Sequence, residues 1–252
     1  VVAARQLARK VPEITVYFWV VKLLTTAMGE ATSDFFVFKI NPYVAVVLGG
    51  IALLIALGLQ FWVRRYVAWI YWLTVSMVAV FGTMAADSLH IQLHVPYVAS
   101  ASGFAIALAI VFYAWYRSEG TLSIHSITSP RRELFYWATV MATFALGTAV
   151  GDMTATTFGL GYFSSAILFA AAIILPGIAY RFKILGEIGA FWVAYILTRP
   201  LGASIADWLS KPRSVGGKAF GDGHVAVVLS AIIICFVIYL SASHTDVKRS
   251  RT

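Results

Sequence analysis

The sequence predicts an all-α integral membrane protein: eight transmembrane helices forming four parallel two-helix repeats with pseudo-symmetry about the membrane normal. Three observations predict it. The 252-residue chain is 60% hydrophobic and only 12% charged, about half the charged share of an ordinary soluble domain. Eight segments are apolar over the ~20 residues that a spanning helix needs. A tryptophan, a glycine and an aspartate recur four times at constant spacing.

The spans are expected over about 14–36, 43–63, 67–89, 95–116, 133–156, 162–181, 186–209 and 224–242. The first follows a basic stretch, Arg5 to Lys10, that imitates a signal peptide. Its pattern returns in three later segments, so it counts as a span. The longest connections are 117–132, with Ser-Pro at 129–130, and the Gly- and Lys-rich 210–223. Neither is long enough for a soluble domain. The chain 1–252 therefore reads as one transmembrane domain, with repeats at about 12–63, 66–116, 131–181 and 186–242. Its lone Cys235 lies in an apolar run and excludes an intrachain disulfide.

The net charge of +8 does not point to nucleic acid, because the basic residues sit in short loops between spans, where they set topology. Thirteen of them fall on the N-terminal side: Arg5, Arg9, Lys10, Arg64, Arg65, Arg117, Arg131, Arg132, Arg181, Lys183, Lys248, Arg249 and Arg251. Four fall on the other side: Lys39, Lys211, Arg213 and Lys218. This asymmetry predicts cytoplasmic N- and C-termini. Lys22 and Arg199 lie inside spans.

The repeat is [FY]-W-x9-G-x4-D without insertion or deletion. It reads Phe18-Trp19, Gly29, Asp34; Tyr71-Trp72, Gly82, Asp87; Tyr136-Trp137, Gly147, Asp152; and Phe191-Trp192, Gly202, Asp207. All four motif helices cross in one direction, so the repeats are parallel rather than inverted. At 100° per residue, the Gly lies about −80° and the Asp about +60° from the Trp. Four residues beyond each Gly stands a small residue, Ser33, Ala86, Gly151 or Ala206. Gly-xxx-small lets helix backbones approach closely, so these glycines are expected to pack helices. The tryptophans are expected to serve packing or the membrane interface. Each Asp lies near a helix C-terminus, where the dipole disfavours an anion by roughly 0.3–1 kcal/mol. A loop-capping donor, a Lys or Arg, water or a bound cation must compensate.

Repeat 1 adds Lys22, Thr25, Thr26 and Glu30 to Asp34, and Lys22, Thr26 and Glu30 share its tryptophan–aspartate face. Arg199 takes the equivalent face in repeat 4 and precedes Pro200, which is expected to loosen or break that helix. Ionisable residues within spans mark functional sites or structural ion pairs. Five carboxylates against Lys22 and Arg199 leave an interior that attracts cations. Asp87, His90 and His94 fall on one stripe if helix 3 continues, and Asp222 and His224 stand at the outer entrance of helix 8. Together they make a candidate divalent-metal acceptor. Cysteine pairs, a phosphate loop and a His-Glu-x-x-His element are absent, so no enzyme chemistry is expected.

With Lys22-Leu-Leu-Thr-Thr-Ala-Met-Gly-Glu-Ala-Thr-Ser-Asp34 and Leu197-Thr-Arg-Pro-Leu-Gly-Ala203, the quadruple repeat resembles a family of uncharacterised bacterial inner-membrane proteins. That family has four tandem repeats of two transmembrane segments and a tryptophan. The resemblance implies a bacterial plasma-membrane location and no particular substrate. The residues themselves favour a cation transporter using intramembrane carboxylates, with a divalent metal such as manganese as substrate and proton exchange as coupling, since hard divalent ions prefer oxygen ligands. The alternatives are an organic-anion carrier using Lys22 and Arg199, and a non-transporting sensor or assembly protein. The expected partners are the lipid bilayer and a small ion or molecule.

The orientation is directly testable. Cysteines placed in 210–223 are expected to react with an impermeant thiol reagent in intact cells. Labelling at 117–132 instead would reverse the topology.

Overall fold

The computed structural model describes residues 9–247, the side chain of Ile91 aside. Arg5, Lys248, Arg249 and Arg251, which enter the orientation argument, lie outside the described residues. The fold is all-helical. We number α1 (Val16–Lys39), α2 (Pro42–Trp62), α3 (Ala68–Ile91), α4 (Tyr97–Glu119), α5 (Pro130–Asp152), α6 (Gly161–Arg181, with one irregular turn at Ile173), α7 (Glu187–Ser210) and α8 (Asp222–Ser243). Local chemistry fixes several boundaries. Thr15 caps α1 by accepting from Phe18 N at 3.4 Å. Asn41 and Ser129 cap α2 and α5, each just before a proline, whose ring suits the first helical turn. Gly120 ends α4 in the left-handed region (φ 69°), which glycine adopts without steric cost.

Seven of these helices, α2 to α8, are long and apolar enough to cross a membrane, which marks a multi-pass membrane protein. Helix α1 is as long as α3 and α7 but carries Lys22, Glu30 and Asp34 along its length, all three buried. Two classes of helix are evident. Only 17–22% of the most apolar stretch of α2, α4, α6 and α8 is buried, against 61–72% in α3, α5 and α7. The even-numbered helices turn residues such as Leu54, Ile55, Ile110, Leu175, Val227 and Ile238 outward. An apolar surface of that extent is foreign to a protein in water.

The motif helices form a closed inner ring. α1 packs on α3, α3 on α5, α5 on α7, and α7 back on α1. The outer helices follow the same rule. Each packs chiefly on the motif helix of the next repeat: α2 on α3, α4 on α5, α6 on α7, and α8 on α1. The repeated residues explain the ring. The aromatic before each motif tryptophan packs on the tryptophan of the next repeat: Phe18 on Trp72 (5.8 Å between centroids), Tyr71 on Trp137 (5.7 Å) and Tyr136 on Trp192 (6.3 Å). Phe191 on Trp19 (5.7 Å) closes the circle. Trp72, Trp137 and Trp192 are buried and Trp19 is half-buried, so the tryptophans pack the bundle rather than form an exposed belt.

The glycines act one layer further on. A Cβ at Gly29 would overlap Ala79, at Gly82 Phe144, at Gly147 Arg199, and at Gly202 Thr26. Each of those neighbours stands seven residues after its own motif tryptophan, so one contact is repeated four times round the ring. Pro200 does not break α7, which continues through it; the proline instead packs on Gly147 and Gly151 of α5. In α5 the regular helix ends at Asp152 and passes into a π-helical turn, Met153–Thr157.

The segment before α1 and the segment after α8 meet at one end of the bundle. Glu13 N donates to Asp246 O (2.9 Å), Tyr66 N to Arg9 O (2.8 Å), and the Tyr66 hydroxyl to the Asp246 carboxylate. Lys10, expected to be a loop charge, is buried against Glu133, which also accepts from Gln60 Nε2 at 2.9 Å.

The ring geometry sets the sign of glycine substitutions. Gly29→Val and Gly147→Val are expected to lower stability by about 1–3 kcal/mol or more through overpacking. Gly58→Ala, where the new methyl meets open space, is expected to raise it by up to ~1 kcal/mol. Thermal unfolding in detergent reads both. Equal tolerance at all three positions would contradict the packing described.

Candidate functional site

Four helices carrying one register must meet the axis with equivalent residues, and they do so in layers. Three residues after the tryptophans stand Lys22, Val75, Val140 and Tyr195. Seven after stand Thr26, Ala79, Phe144 and Arg199. Eleven after stand Glu30, Thr83, Thr148 and Ala203. All twelve are buried. Fifteen after stand the aspartates, with Asp34 and Asp207 buried and Asp87 and Asp152 half-buried.

Arg199 is fully buried and reaches from its own layer into the next. Its Nη2, with two hydrogens to donate, lies within hydrogen-bond reach of Glu30 Oε2 (2.6 Å), Thr148 Oγ1 (2.6 Å) and Thr83 Oγ1. The three partners come from the three other repeats, and Ala203, their counterpart in repeat 4, leaves room. Room for the arginine stem comes from Gly147. The guanidinium also stands 5.4 Å from the centre of the Phe144 ring. Among the described residues the ion-pair partner of Glu30 is thus Arg199. Lys22 has no hydrogen-bond partner among the described residues and lies over two rings, Phe144 at 3.9 Å and Tyr195 at 4.3 Å.

Beyond Arg199, the carboxylates of Glu30, Asp34 and Asp207 converge, with ligand atoms all within 4.8 Å of one another. Two oxygens on one ion lie at most twice the metal–oxygen distance apart, about 4.6–5.2 Å for calcium-like bond lengths. The spacing therefore suits a hard cation. Asp87 and Asp152 lie within Coulombic range of Glu30 and Asp34 and have no ion-pair partner among the described residues. Thr26 binds no carboxylate; its hydroxyl donates to Leu23 O at 2.6 Å and sits 3.3 Å from Thr198 O.

The cation that pairs with Asp34 and Asp207 is Lys211, at the end of α7. Its ammonium pairs with Asp34, with Asp207 at 3.8 Å and with Asp222 at 3.5 Å. Burial acts to lower the Lys211 pKa, but Asp34, Asp207 and Asp222 outweigh it and hold the ammonium charged well above the ordinary lysine range. Lys211 was expected to be an outer loop charge, and its inclusion sets five interior carboxylates against three cations. Two signals pointed to the missed partners. Lys211 follows Asp207 by four residues, one helical turn. Thr83 and Thr148 share the offset of Glu30 from the tryptophan.

The expected histidine site does not form. α3 ends at Ile91 and His94 adopts a left-handed turn (φ 54°) before Pro96, so the His90–His94 stripe is lost. His90 is bonded to Val95 O (2.7 Å) and Ser100 Oγ (3.2 Å) and stacks on Tyr97. Asp222 joins Lys211, while His224 lines a lateral groove with Phe35 and Phe38. Among the described residues the one His/Cys/Asp/Glu trio whose ligand atoms converge is Glu30, Asp34 and Asp207.

This is a repeat membrane protein with a charged axial column, and comparison with known families agrees on the repeat. The model described as Repeat of Unknown Function (DUF347) matches four times, at residues 17–66, 70–121, 135–183 and 190–246. The chain belongs to that family. Searches of curated proteins and of solved structures give no match.

Proposed function

We propose that the protein is a transporter for a cation, a hard divalent ion by preference, in the inner membrane of a bacterium. In this reading all eight helices span the membrane, α1 included. The four repeats turn about an axis along the membrane normal, and both termini are cytoplasmic. The observation that carries the reading is the convergence of Glu30, Asp34 and Asp207 inside the bundle. A soluble-phase explanation of buried carboxylates, such as capping a loop, does not account for Glu30, which lies in mid-helix and is 3% exposed.

The chemistry follows from competition. Arg199 and an entering cation both seek Glu30. With the cation on Glu30, Asp34 and Asp207, Arg199 keeps Thr83 and Thr148 but loses its carboxylate. A carboxylate that trades partners in this way, or trades a cation for a proton, is what a coupled carrier requires. The organic-anion alternative is favoured by one observation: Lys22 Nζ and Arg199 Nε and Nη1 are buried without hydrogen-bond partners among the described residues. Against it, Arg199 is already neutralised by Glu30, and Lys22 is enclosed between aromatic rings.

Flux in proteoliposomes with an internal pH-sensitive dye tests the reading. Glu30→Gln and Asp207→Asn are expected to abolish cation flux with the folded protein still in the membrane, and Asp34→Asn to weaken it. Normal flux in Glu30→Gln, or no cation flux in wild type under any gradient, would return the chain to the sensor or assembly reading. Flux of an organic anion that requires Lys22 would favour the alternative.

A further inference from the structure

We propose that Lys211 is a tethered competitor for the cation site. Its ammonium holds the carboxylate mouth closed, and a divalent ion enters by displacing it. The proposal rests on the cation reading above and concerns the same site.

The position of the ammonium carries the argument. Lys211 joins three segments at one atom: Asp34 on α1, Asp207 on α7 and Asp222 at the start of α8. Two of these carboxylates belong to the converging trio, and the third member, Glu30, is held by Arg199. Each carboxylate of the trio is therefore already paired with a cation that the chain supplies. The two cations differ in freedom. Arg199 is fully buried and held by two threonines as well as Glu30. The Lys211 side chain is 18% exposed at the end of the bundle, against 0% for that of Arg199.

The backbone beneath it is fixed. Lys211 N donates to Asp207 O, and Lys211 O accepts from Ala219 N, both at 2.9 Å. A Cβ at Gly217 would overlap the Lys211 carbonyl, so the loop passes directly over it. Lys218 N to Trp208 O (2.7 Å), Phe220 N to Leu209 O (3.0 Å) and Gly221 N to Ser210 O (3.1 Å) zip the same loop onto the end of α7. Release of the ammonium then needs rotation of one flexible side chain and no rearrangement of the fold.

Such a latch also selects by charge. A group tethered by a short flexible stem acts at an effective concentration of about millimolar or above. A free sodium or potassium ion brings the same single charge that Lys211 already supplies, and gains little by exchange. A divalent ion brings twice the charge to the same oxygens and outcompetes the tether.

Manganese(II) is a suitable probe, because its paramagnetic resonance counts free ion. Binding is measured on the purified full chain in detergent for wild type, Lys211→Met, Lys211→Gln and Lys211→Arg. The neutral variants are expected to bind Mn²⁺ at least tenfold more tightly and to become sensitive to competition by sodium, while Lys211→Arg stays near wild type. Equal or weaker binding in both neutral variants overturns the latch and leaves the cation site standing. No binding by wild type or any variant overturns the cation reading and the latch with it. A second measurement uses wild type alone, whatever the folding of the variants. Added Mn²⁺ is expected to raise acylation of Lys211 by an amine reagent, read by mass spectrometry against Lys39 and Lys218. Unchanged or reduced acylation of Lys211, in protein that binds Mn²⁺, contradicts displacement.

Discussion

A guanidinium at the centre of a helical bundle is tolerated only if its surroundings supply both counter-charge and acceptors, because desolvating an ion costs several kcal/mol even after the protein relaxes. Arg199 meets that condition by drawing on every other repeat: Glu30 from the first, Thr83 from the second and Thr148 from the third. The requirement fixes how the four motif helices are placed. They must all reach one point, which asks for close backbone approach, and the absent side chains at Gly147 and Gly202 permit it. Arg199 therefore works as the keystone of the ring as well as the inner boundary of the carboxylate cluster.

The ring solves a problem that repetition creates. Four copies of one helix related by rotation bring like residues together at every level. For aromatics and small residues this is favourable, and the Phe/Tyr–Trp contacts close the circle with the same geometry at each step. For four aspartates it concentrates like charge. The chain meets this by breaking the symmetry at a few positions only. Glu30 and Arg199 substitute for threonine-like and apolar counterparts within the layers, Lys22 replaces valine or tyrosine, and Lys211 is added outside the motif. The repeats build the scaffold and supply the aspartates, and the asymmetric residues Glu30, Arg199 and Lys211 complete the site by adding a third carboxylate and the cations that pair with the three.

Much of this was legible in the sequence, for identifiable reasons. Hydrophobic runs gave the helices because lipid-facing surfaces on α2, α4, α6 and α8 need no alternation of polar residues. The strict Trp–Gly–Asp spacing gave the inner set, because a helix that must fit the same neighbour four times cannot change its register. Three features were hidden. The order of the ring depends on contacts between chains of residues over 50 positions apart, which periodicity does not encode. The buried Lys10–Glu133 pair has no counterpart in the other repeats. The histidine stripe failed because α3 stops at Ile91, and the turn before Pro96 sends His94 elsewhere. Proline in α7 misled in the opposite sense: Pro200 lacks an amide hydrogen, yet tight packing against α5 keeps the helix continuous.

The central claim is that the Arg199–Glu30 pair is a mutually dependent buried unit that joins the repeats. A double-mutant cycle in detergent, read by reversible unfolding, measures it most directly. Arg199→Met strands a buried carboxylate and is expected to cost about 3–5 kcal/mol, as is Glu30→Met for stranding the guanidinium. The double variant, which removes both charges, is expected to be more stable than either single one, by about 2 kcal/mol or more. If the two losses simply add, the residues do not act as a pair and the account of the axial column is wrong.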